Sequence, residues 1–208
     1  MKNVIYLHGF ASSGKNSKGL ALSRKSNDSA EIKFWSFDFN PKPEDFSHMT
    51  VTGMINRLRQ FILDHKLTDN YLVGSSLGAL VALHYTKWFG NVMKLLLLAP
   101  ALKFSIKYDH DLEVIKNQTS NLVFHYAFDR EIPLFSSFYQ DGQGFRELVE
   151  PPVSTVIIHG KMDQVIPIEE SRKFAARYPD HVKLIEVDSD HRLGDQIETI
   201  WDQINRFE

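Results

Sequence analysis

One stretch of the sequence, at residues 71–80, reads Tyr71-Leu72-Val73-Gly74-Ser75-Ser76-Leu77-Gly78-Ala79-Leu80. An apolar run of strand type leads into a G-x-S-x-G pentapeptide, which leads into an apolar run of helix type. This order is typical of a sharp strand-to-helix turn that presents a serine clear of a sheet. Gly74 and Gly78 leave room for such a turn, because larger side chains would collide with the neighbouring chain. Ser76 is therefore the candidate nucleophile.

A helix cap is the competing interpretation of the same pentapeptide. Ser75 or Ser76 could cap a helix that begins at Leu77. The pentapeptide by itself leaves both interpretations open. The choice depends on whether a general base and an acid partner occur elsewhere in the chain, because a hydroxyl is a poor nucleophile at its free pKa.

Six short apolar segments predict β-strands: Val4–Leu7, Ile32–Phe37, Tyr71–Val73, Val92–Leu98, Thr155–Ile158 and Val182–Val187. Most of them are continuously apolar rather than alternating, which is typical of a parallel sheet that is covered on both faces. Between them, apolar residues recur at helical spacing, as in Met54-Ile55, Leu58 and Phe61-Ile62. This alternation indicates an α/β protein with a mostly parallel, doubly wound sheet of about six strands. We predict a single domain over residues 1–208.

Residues 103–152 interrupt the alternation of strands and helices. The segment carries Pro133, Gly142, Gly144 and a Pro151-Pro152 pair, and it is rich in aromatic residues. That aromatic content is too high for a disordered linker. We predict an insertion that forms a small packed subdomain or a lid over a substrate pocket, and these two interpretations are compatible.

The general base should be a histidine late in the chain, and its acid partner should follow the preceding strand. His191 lies in a polar loop directly after the last predicted strand. Asp163 lies in the loop after the strand at 155–158, before a helix predicted to begin near Ile168. The carboxyl ends of parallel strands share one edge of a sheet, where α/β proteins bind their ligands. We therefore expect Ser76, Asp163 and His191 to meet at that edge.

Both residues have a competing interpretation. His191 could be an ordinary residue at a helix start, and Asp163 could cap the helix near Pro167. Asp188 and Asp190 are closer to His191 in sequence, but immediate neighbours seldom orient an imidazole ring correctly, so we rank them below Asp163. The chain order Ser, Asp, His matches the triads of hydrolases built on such a sheet.

The first predicted strand leads into His8-Gly9-Phe10. An oxyanion intermediate needs two N–H donors, one from the residue after the nucleophile and one from this early loop. Leu77 and Phe10 are the candidates. Gly9 lets the backbone turn inward, and we expect His8 to brace the loop by hydrogen bonding rather than to transfer protons.

These segments together resemble the α/β-hydrolase superfamily and, within it, the small bacterial YqiA-like esterases. The resemblance spans nearly the whole chain and rests on Tyr6–Phe10, Ser12-Ser13, Ser17-Lys18, Leu20, Val73–Gly78, Pro100-Ala101, Asp163–Val165 and Asp190-His191. It implies the α/β-hydrolase fold without the first N-terminal strands, and carboxylesterase activity on short-chain or activated esters with no metal or organic cofactor. Ala79 departs from the second glycine that is usual there. Residues 103–152 resemble nothing in the group, so substrate choice does not transfer.

The predicted chemistry is acyl transfer on a small or medium ester, or on a thioester, which is the expected small-molecule partner. His191 takes the proton of Ser76, Asp163 holds the imidazole, and water hydrolyses the resulting acyl-enzyme. Amides fit the same triad. The physiological substrate and the oligomeric state do not follow from the sequence.

The composition argues against several other classes of protein. None of the 208 residues is cysteine, which excludes disulfides, thiolate metal sites and a cysteine nucleophile. A net charge of −2 and a pI near 6.5 provide no basic field for nucleic acid. Val4–His8 is too short for a signal-peptide core, and the longest apolar run, Leu95–Leu102, is too short to span a bilayer. We therefore expect a cytoplasmic protein with no membrane partner.

Residues 9–16, Gly-Phe-Ala-Ser-Ser-Gly-Lys-Asn, nearly spell a phosphate-binding loop. Asn16 stands where a hydroxyl should hold magnesium, although Ser17 follows it. The nearest candidate for the partner acid is Asp38, at the end of the second predicted strand. Nucleotide binding is therefore an alternative that rests on an incomplete phosphate-loop motif.

Two further alternatives remain. A metal site could be built from His110 with Asp109 and Asp111, or from His125 with Asp129, although neither group has the spacing of paired ligands. A hydrolase fold that binds a ligand without catalysis is the other alternative, because one fold hosts many functions. An intact triad argues against it.

Overall fold

A computed structural model of the chain describes residues 1–105 and 109–207, except for the side chains at 109 and 110. Strands and helices alternate along most of this length. In chain order the elements are β1 (Lys2–Leu7), α1 (Ser17–Ser26), β2 (Ile32–Phe37), α2 (Pro43–Ser47), α3 (Val51–Asp64), β3 (Asn70–Ser75), α4 (Leu77–Phe89), β4 (Val92–Leu98), α5 (Asp109–Asn117), β5 (Ser120–His125), β6 (Arg130–Phe135), α6 (Ser136–Gly142), a 3-10 turn (Gln143–Phe145), β7 (Thr155–Gly160), α7 (Ile168–Arg177), β8 (Val182–Val187) and α8 (Ile197–Asn205).

The central sheet has six strands in the order β2-β1-β3-β4-β7-β8, and every neighbouring pair is parallel. The predicted fold class is therefore confirmed. β3 is longer than predicted at both ends. Asn70 pairs with Asn3 and Val92 at its start, and Gly74 and Ser75 pair with neighbouring strands at its end. The loops that follow β1, β3, β7 and β8 leave the sheet at the same edge, because their strands run in the same direction.

Both faces of the sheet are buried. Successive residues of β1 alternate, so that Ile5 and Leu7 belong to one core and Val4 and Tyr6 to the other. The first core includes α3, α4, α7 and much of the 103–152 segment, and the second includes α1 and α8. Burial on both faces explains why the strands are continuously apolar. Among the helices of the described ranges, none has the length and apolar character needed to cross a membrane.

The 103–152 segment contains α5, α6, the 3-10 turn and an antiparallel hairpin of β5 and β6. The sequence did not indicate this hairpin, because apolar residues lie on both of its faces. Leu122 and Phe124 are exposed, whereas Ile132 and Leu134 on the partner strand are buried. The predicted role of the segment as a lid remains a prediction.

The start of α4 packs directly against the end of β1. A Cβ atom at Gly78 would collide with the carbonyl oxygens of Leu7 and His8, and one at Gly74 would lie 2.6 Å from the carbonyl oxygen of Gly78. Glycine at these two positions therefore allows the close approach that holds Ser76 beside the loop after β1.

Gly78→Ala should lower the free energy of unfolding by about 1–3 kcal/mol, because backbone oxygens cannot move aside without separating α4 from β1. Gly144→Ala is the matched control, since a Cβ atom there meets nothing within 4 Å. Its effect should stay within about 0.5 kcal/mol. Urea denaturation followed by circular dichroism measures both variants, and equal stabilities would contradict the close packing described above.

Candidate active site

Ser76 occupies the turn between β3 and α4. Its backbone has a φ of 52° and a ψ of −117°, a conformation that favours glycine and is strained for other residues. Two backbone hydrogen bonds hold it there: its amide donates to the carbonyl of Leu98 at 2.9 Å, and its carbonyl accepts from the amide of Ala101 at 3.1 Å. Its side chain makes no capping hydrogen bond. The helix-cap interpretation therefore does not describe this serine.

The hydroxyl of Ser76 faces an imidazole ring. Nε2 of His191, in the loop after β8, lies 3.2 Å from Ser76 Oγ. On the other side of the ring, Nδ1 of His191 lies 2.7 Å from Oδ2 of Asp163. The structure thus brings together the three residues predicted as nucleophile, base and acid, although 115 and 28 residues separate His191 from Ser76 and Asp163.

The side chain of Asp163 is completely buried. Its Oδ1 accepts hydrogen bonds from the amides of Val165 and Ile166, both at 2.8 Å, and its Oδ2 also lies 3.1 Å from Nε2 of His159. Burial alone would raise the pKa of this carboxyl. The hydrogen bonds from His159, His191 and Ile166 outweigh burial and hold the pKa below its ordinary value. Asp163 is therefore ionised at neutral pH.

The two aspartates nearer to His191 in sequence have other partners. Asp188 pairs with Lys161 at 3.0 Å, and its side chain is 84% exposed. Asp190 accepts a hydrogen bond from the amide of Arg192 at 2.8 Å. The carboxylate that contacts Nδ1 of His191 is that of Asp163.

The loop after β1 lies directly beside the serine. A Cβ atom at Gly9 would lie 3.2 Å from Cβ of Ser76, so glycine allows the backbone to come this close. Leu77 is the first residue of α4, where N–H groups have no acceptor within the helix. Phe10 and Leu77 both line the pocket that contains Ser76. The two predicted oxyanion-hole residues therefore border the same space as the serine hydroxyl.

His8 connects this loop to the chain after β2. Its buried ring accepts a hydrogen bond from the amide of Phe39 at Nε2, at 3.1 Å, and Asp38 Oδ1 lies 3.3 Å from the same atom. Nδ1 lies 2.8 Å from the carbonyl oxygen of Gly9. Both ring nitrogens are engaged with protein groups, which is the geometry expected of a residue that braces the loop.

Ser76 opens into a pocket of about 790 Å³ between the sheet edge and the 103–152 segment. Asn121 and Tyr139 supply polar groups in its wall and are hydrogen-bonded to each other at 2.9 Å. The size and character of the pocket suit a small molecule. Most of the wall is apolar and includes Phe10, Leu80, Leu102, Phe104, Phe138 and Ile166.

The sequence indicated no role for two buried polar residues beside the site, His159 and Lys18. Lys18 lies on α1 and is 7% exposed, and its Nζ donates to Ser75 Oγ at 3.1 Å. Burial lowers the pKa of Lys18 to about 8, against the opposing effect of the negative charge of Asp190. The burial of Lys18 could have been predicted from its position one helical turn before the apolar Leu22, on the same side of α1.

The phosphate-loop alternative does not fit the structure of residues 9–16. Asn16 caps α1, with its Oδ1 accepting from the amide of Gly19 at 2.9 Å and its Nδ2 donating to Ser12 at 3.0 Å. The Asn16 side chain therefore occupies one of the amides at the helix N-terminus that would bind a phosphate.

The metal alternative finds no support in the described residues. His125 is buried against the rings of Phe46 and Phe128. Throughout the described part of the chain, no group of three or more His, Asp or Glu side chains could hold a metal ion. The side chains of Asp109 and His110, named in the same alternative, lie outside the described residues.

The fold is that of α/β-hydrolases of known structure. The chain belongs to the Uncharacterised protein family (UPF0227), whose family model matches residues 3–208. The resemblance noted in the sequence is thereby confirmed. No curated protein shows significant sequence similarity to the chain.

Three solved structures illustrate the similarity of fold. Est1E from Butyrivibrio proteoclasticus with bound ferulic acid has a TM-score of 0.77 at 17% identity, over 100% of this chain and 89% of that one. Alpha/beta hydrolase domain-containing protein 10 from mouse has a TM-score of 0.74 at 19% identity, over 99% and 90%. The esterase EaEST from Exiguobacterium antarcticum has a TM-score of 0.70 at 20% identity, over 99% and 91%.

Replacing Lys18 by Met should raise the free energy of unfolding at pH 7 by about 1–3 kcal/mol, because the folded protein buries a charge there. The folded pKa of about 8 lies below the ordinary 10.5, so the unfolded chain binds more protons between these values. The free energy of unfolding of the wild type should therefore increase as the pH rises through this range. The gap in free energy of unfolding between the wild type and Lys18→Met should shrink at the same time.

Urea denaturation at pH 7, 8, 9 and 10 measures this difference. Lys15→Met is the control, because Lys15 is exposed on the same segment and its replacement should cause no such pH-dependent change. A difference between wild type and Lys18→Met that stays constant with pH would contradict the prediction.

Proposed function

We propose that the protein is a serine hydrolase that cleaves small to medium carboxylic esters through an acyl-enzyme. One observation carries the proposal: an unbroken hydrogen-bonded path runs from Ser76 Oγ through His191 to the buried carboxylate of Asp163. The strained backbone of Ser76 and the apolar pocket beside it add support.

Proton transfer from Ser76 to His191 begins the reaction. Asp163 accepts a hydrogen bond from Nδ1–H of His191, which leaves Nε2 unprotonated and facing the serine. When Nε2 takes the serine proton, the charge of Asp163 stabilises the imidazolium. The serine oxygen then attacks the carbonyl carbon of the ester, and the carbonyl oxygen becomes an oxyanion.

The oxyanion is held by the N–H groups of Leu77 and Phe10 in this mechanism, and the N-terminal end of α4 favours its negative charge. As the tetrahedral intermediate collapses, Nε2–H of His191 protonates the leaving alcohol and the acyl group stays on Ser76. A water molecule, deprotonated by Nε2, then hydrolyses the acyl-enzyme and the proton returns to the serine. These steps need no metal or organic cofactor.

The pocket supports a substrate with an apolar acyl or alcohol group. Its volume of about 790 Å³ lies within the usual range for small-molecule sites. Similarity of fold to an esterase from Exiguobacterium antarcticum is consistent with an ester substrate. Thioesters undergo the same steps and fall within the proposal.

Ser76→Ala and His191→Ala should each lower kcat for p-nitrophenyl butyrate by about a thousandfold or more, because each removes a group that acts in both half-reactions. Asp163→Asn should cause a similar loss, since an amide stabilises the wrong imidazole tautomer. Hydrolysis of p-nitrophenyl acetate and butyrate, followed by absorbance, measures all three variants.

Asp188→Asn is the matched control for Asp163→Asn, because this nearby carboxylate is exposed and pairs with Lys161. Its kcat/KM should equal that of the wild type. Wild-type turnover in His191→Ala would remove the assignment of the base. Absence of hydrolysis in folded wild-type protein would favour the ligand-binding alternative.

A further inference from the structure

A second buried histidine contacts the carboxylate of Asp163. His159 lies near the end of β7, and its side chain has no exposed surface. Its Nε2 lies 3.1 Å from Oδ2 of Asp163 and 3.0 Å from the carbonyl oxygen of Ile166, and its Nδ1 lies 2.7 Å from Oγ of the buried Ser171 on α7. Both ring nitrogens therefore have polar partners, and the ring is fixed from two sides.

The partners of the ring determine where its hydrogen lies. A carboxylate and a carbonyl oxygen can only accept, so Nε2 of His159 must carry a hydrogen. The hydroxyl of Ser171 can donate or accept, so Nδ1 accepts in the neutral ring and donates in the charged ring. In both charge states, His159 therefore donates a hydrogen bond to Oδ2 of Asp163.

Oδ2 of Asp163 is consequently shared by two imidazole donors, from His159 and His191. The amides of Val165 and Ile166 hold Oδ1, and the bond from His159 holds Oδ2. With both oxygens held, rotation of the carboxylate is restricted. It also competes with His191 for the negative charge on Oδ2, and a hydrogen bond from His159 weakens the stabilisation of a protonated His191.

Packing alone does not explain an imidazole at this position. An apolar side chain of similar size would fill the space without burying two polar nitrogens. Glu186 on β8 also interacts electrostatically with His159, but it is paired with Arg172 on α7 at 2.6 Å. The charged group that the ring of His159 contacts directly is Asp163.

We infer that His159 is a positioning residue of the proposed triad, which holds the Asp163 carboxylate in orientation and limits how strongly Asp163 stabilises protonated His191. This inference rests on the proposed function, because it concerns the same acid and base.

Three substitutions separate the hydrogen bond from the packing. His159→Leu fills the space without a donor. In His159→Gln the side-chain amide nitrogen takes the place of Nε2 and can still donate to Asp163. In His159→Asn the amide nitrogen takes the place of Nδ1 and reaches only toward Ser171. The Asn and Gln variants form a matched polar pair, which decides the question even if the Leu variant does not fold.

Two measurements are made on each folded variant. The first is the pH profile of kcat and KM with p-nitrophenyl butyrate. The second is the titration of the His191 ring by NMR of protein with isotope-labelled histidine, assigned by comparison with His191→Ala. This titration needs no turnover, so it tests the role of His159 even if the proposed esterase activity fails.

In the Leu and Asn variants the titration midpoint of His191 should rise by about half a pH unit to one unit. This is less than the roughly one to two units that a whole hydrogen bond to a charged group would give, because His159 acts on His191 only through Asp163. The acid limb of the kcat/KM profile should move by the same amount. kcat should fall about tenfold, by analogy with the loss that follows removal of the hydrogen-bond partner of a metal-bound histidine, while KM stays near the wild-type value. The Gln variant should return both the midpoint and kcat close to wild type.

An unchanged midpoint of His191 in folded Leu or Asn variants would overturn the inference, because a residue that serves only packing would lower activity without moving this titration. Equal behaviour of the Asn and Gln variants would overturn it as well. If the His191 midpoint shifts in the folded His159 variants but the folded wild type has no esterase activity, the role of His159 stands and only the proposed function is rejected.

Discussion

A buried, ionised carboxylate organises the carboxyl edge of this sheet. Asp163 is removed from water, and it stays charged because two backbone amides and two imidazole rings donate to it. A buried charge that loses such partners is strongly destabilising. The end of β7, the loop after it and the loop after β8 must therefore adopt one mutual arrangement, and that arrangement holds His191 with its Nε2 toward Ser76.

The sheet and the elbow supply the other half of the site. Parallel strands bring the loops after β1, β3, β7 and β8 to one edge, and the contact of Gly78 with the end of β1 sets the first two of these loops against each other. Ser76 keeps its strained backbone because β4 and the loop after it hold both of its peptide groups. The strained backbone of Ser76, the contact of Gly78 with β1 and the buried charge of Asp163 together position the Ser76 hydroxyl, which borders an apolar pocket.

Features with a local pattern were predictable from the sequence. Continuous apolar runs predicted the parallel sheet, and the order of Ser76, Asp163 and His191 predicted which side chains meet. Features that depend on tertiary partners were not predictable. The buried amine of Lys18 contacts Ser75, which is 57 residues away in the chain. His159 contacts Asp163 only in the folded loop that follows β7. The hairpin of β5 and β6 was missed because Leu122 and Phe124 are apolar yet exposed, so no alternation marked its solvent face.

Ser76 acts as the nucleophile in the proposed mechanism, and its neighbour Ser75 allows a direct test of this role. A fluorophosphonate probe forms a stable adduct with an activated serine, and fragmentation of the labelled peptide in a mass spectrometer distinguishes the two neighbours. We expect one adduct per chain, located on Ser76, because the hydroxyl of Ser76 faces His191 whereas that of Ser75 accepts from Lys18. An adduct on Ser75, or none in folded protein, would contradict the assignment of Ser76 as the nucleophile.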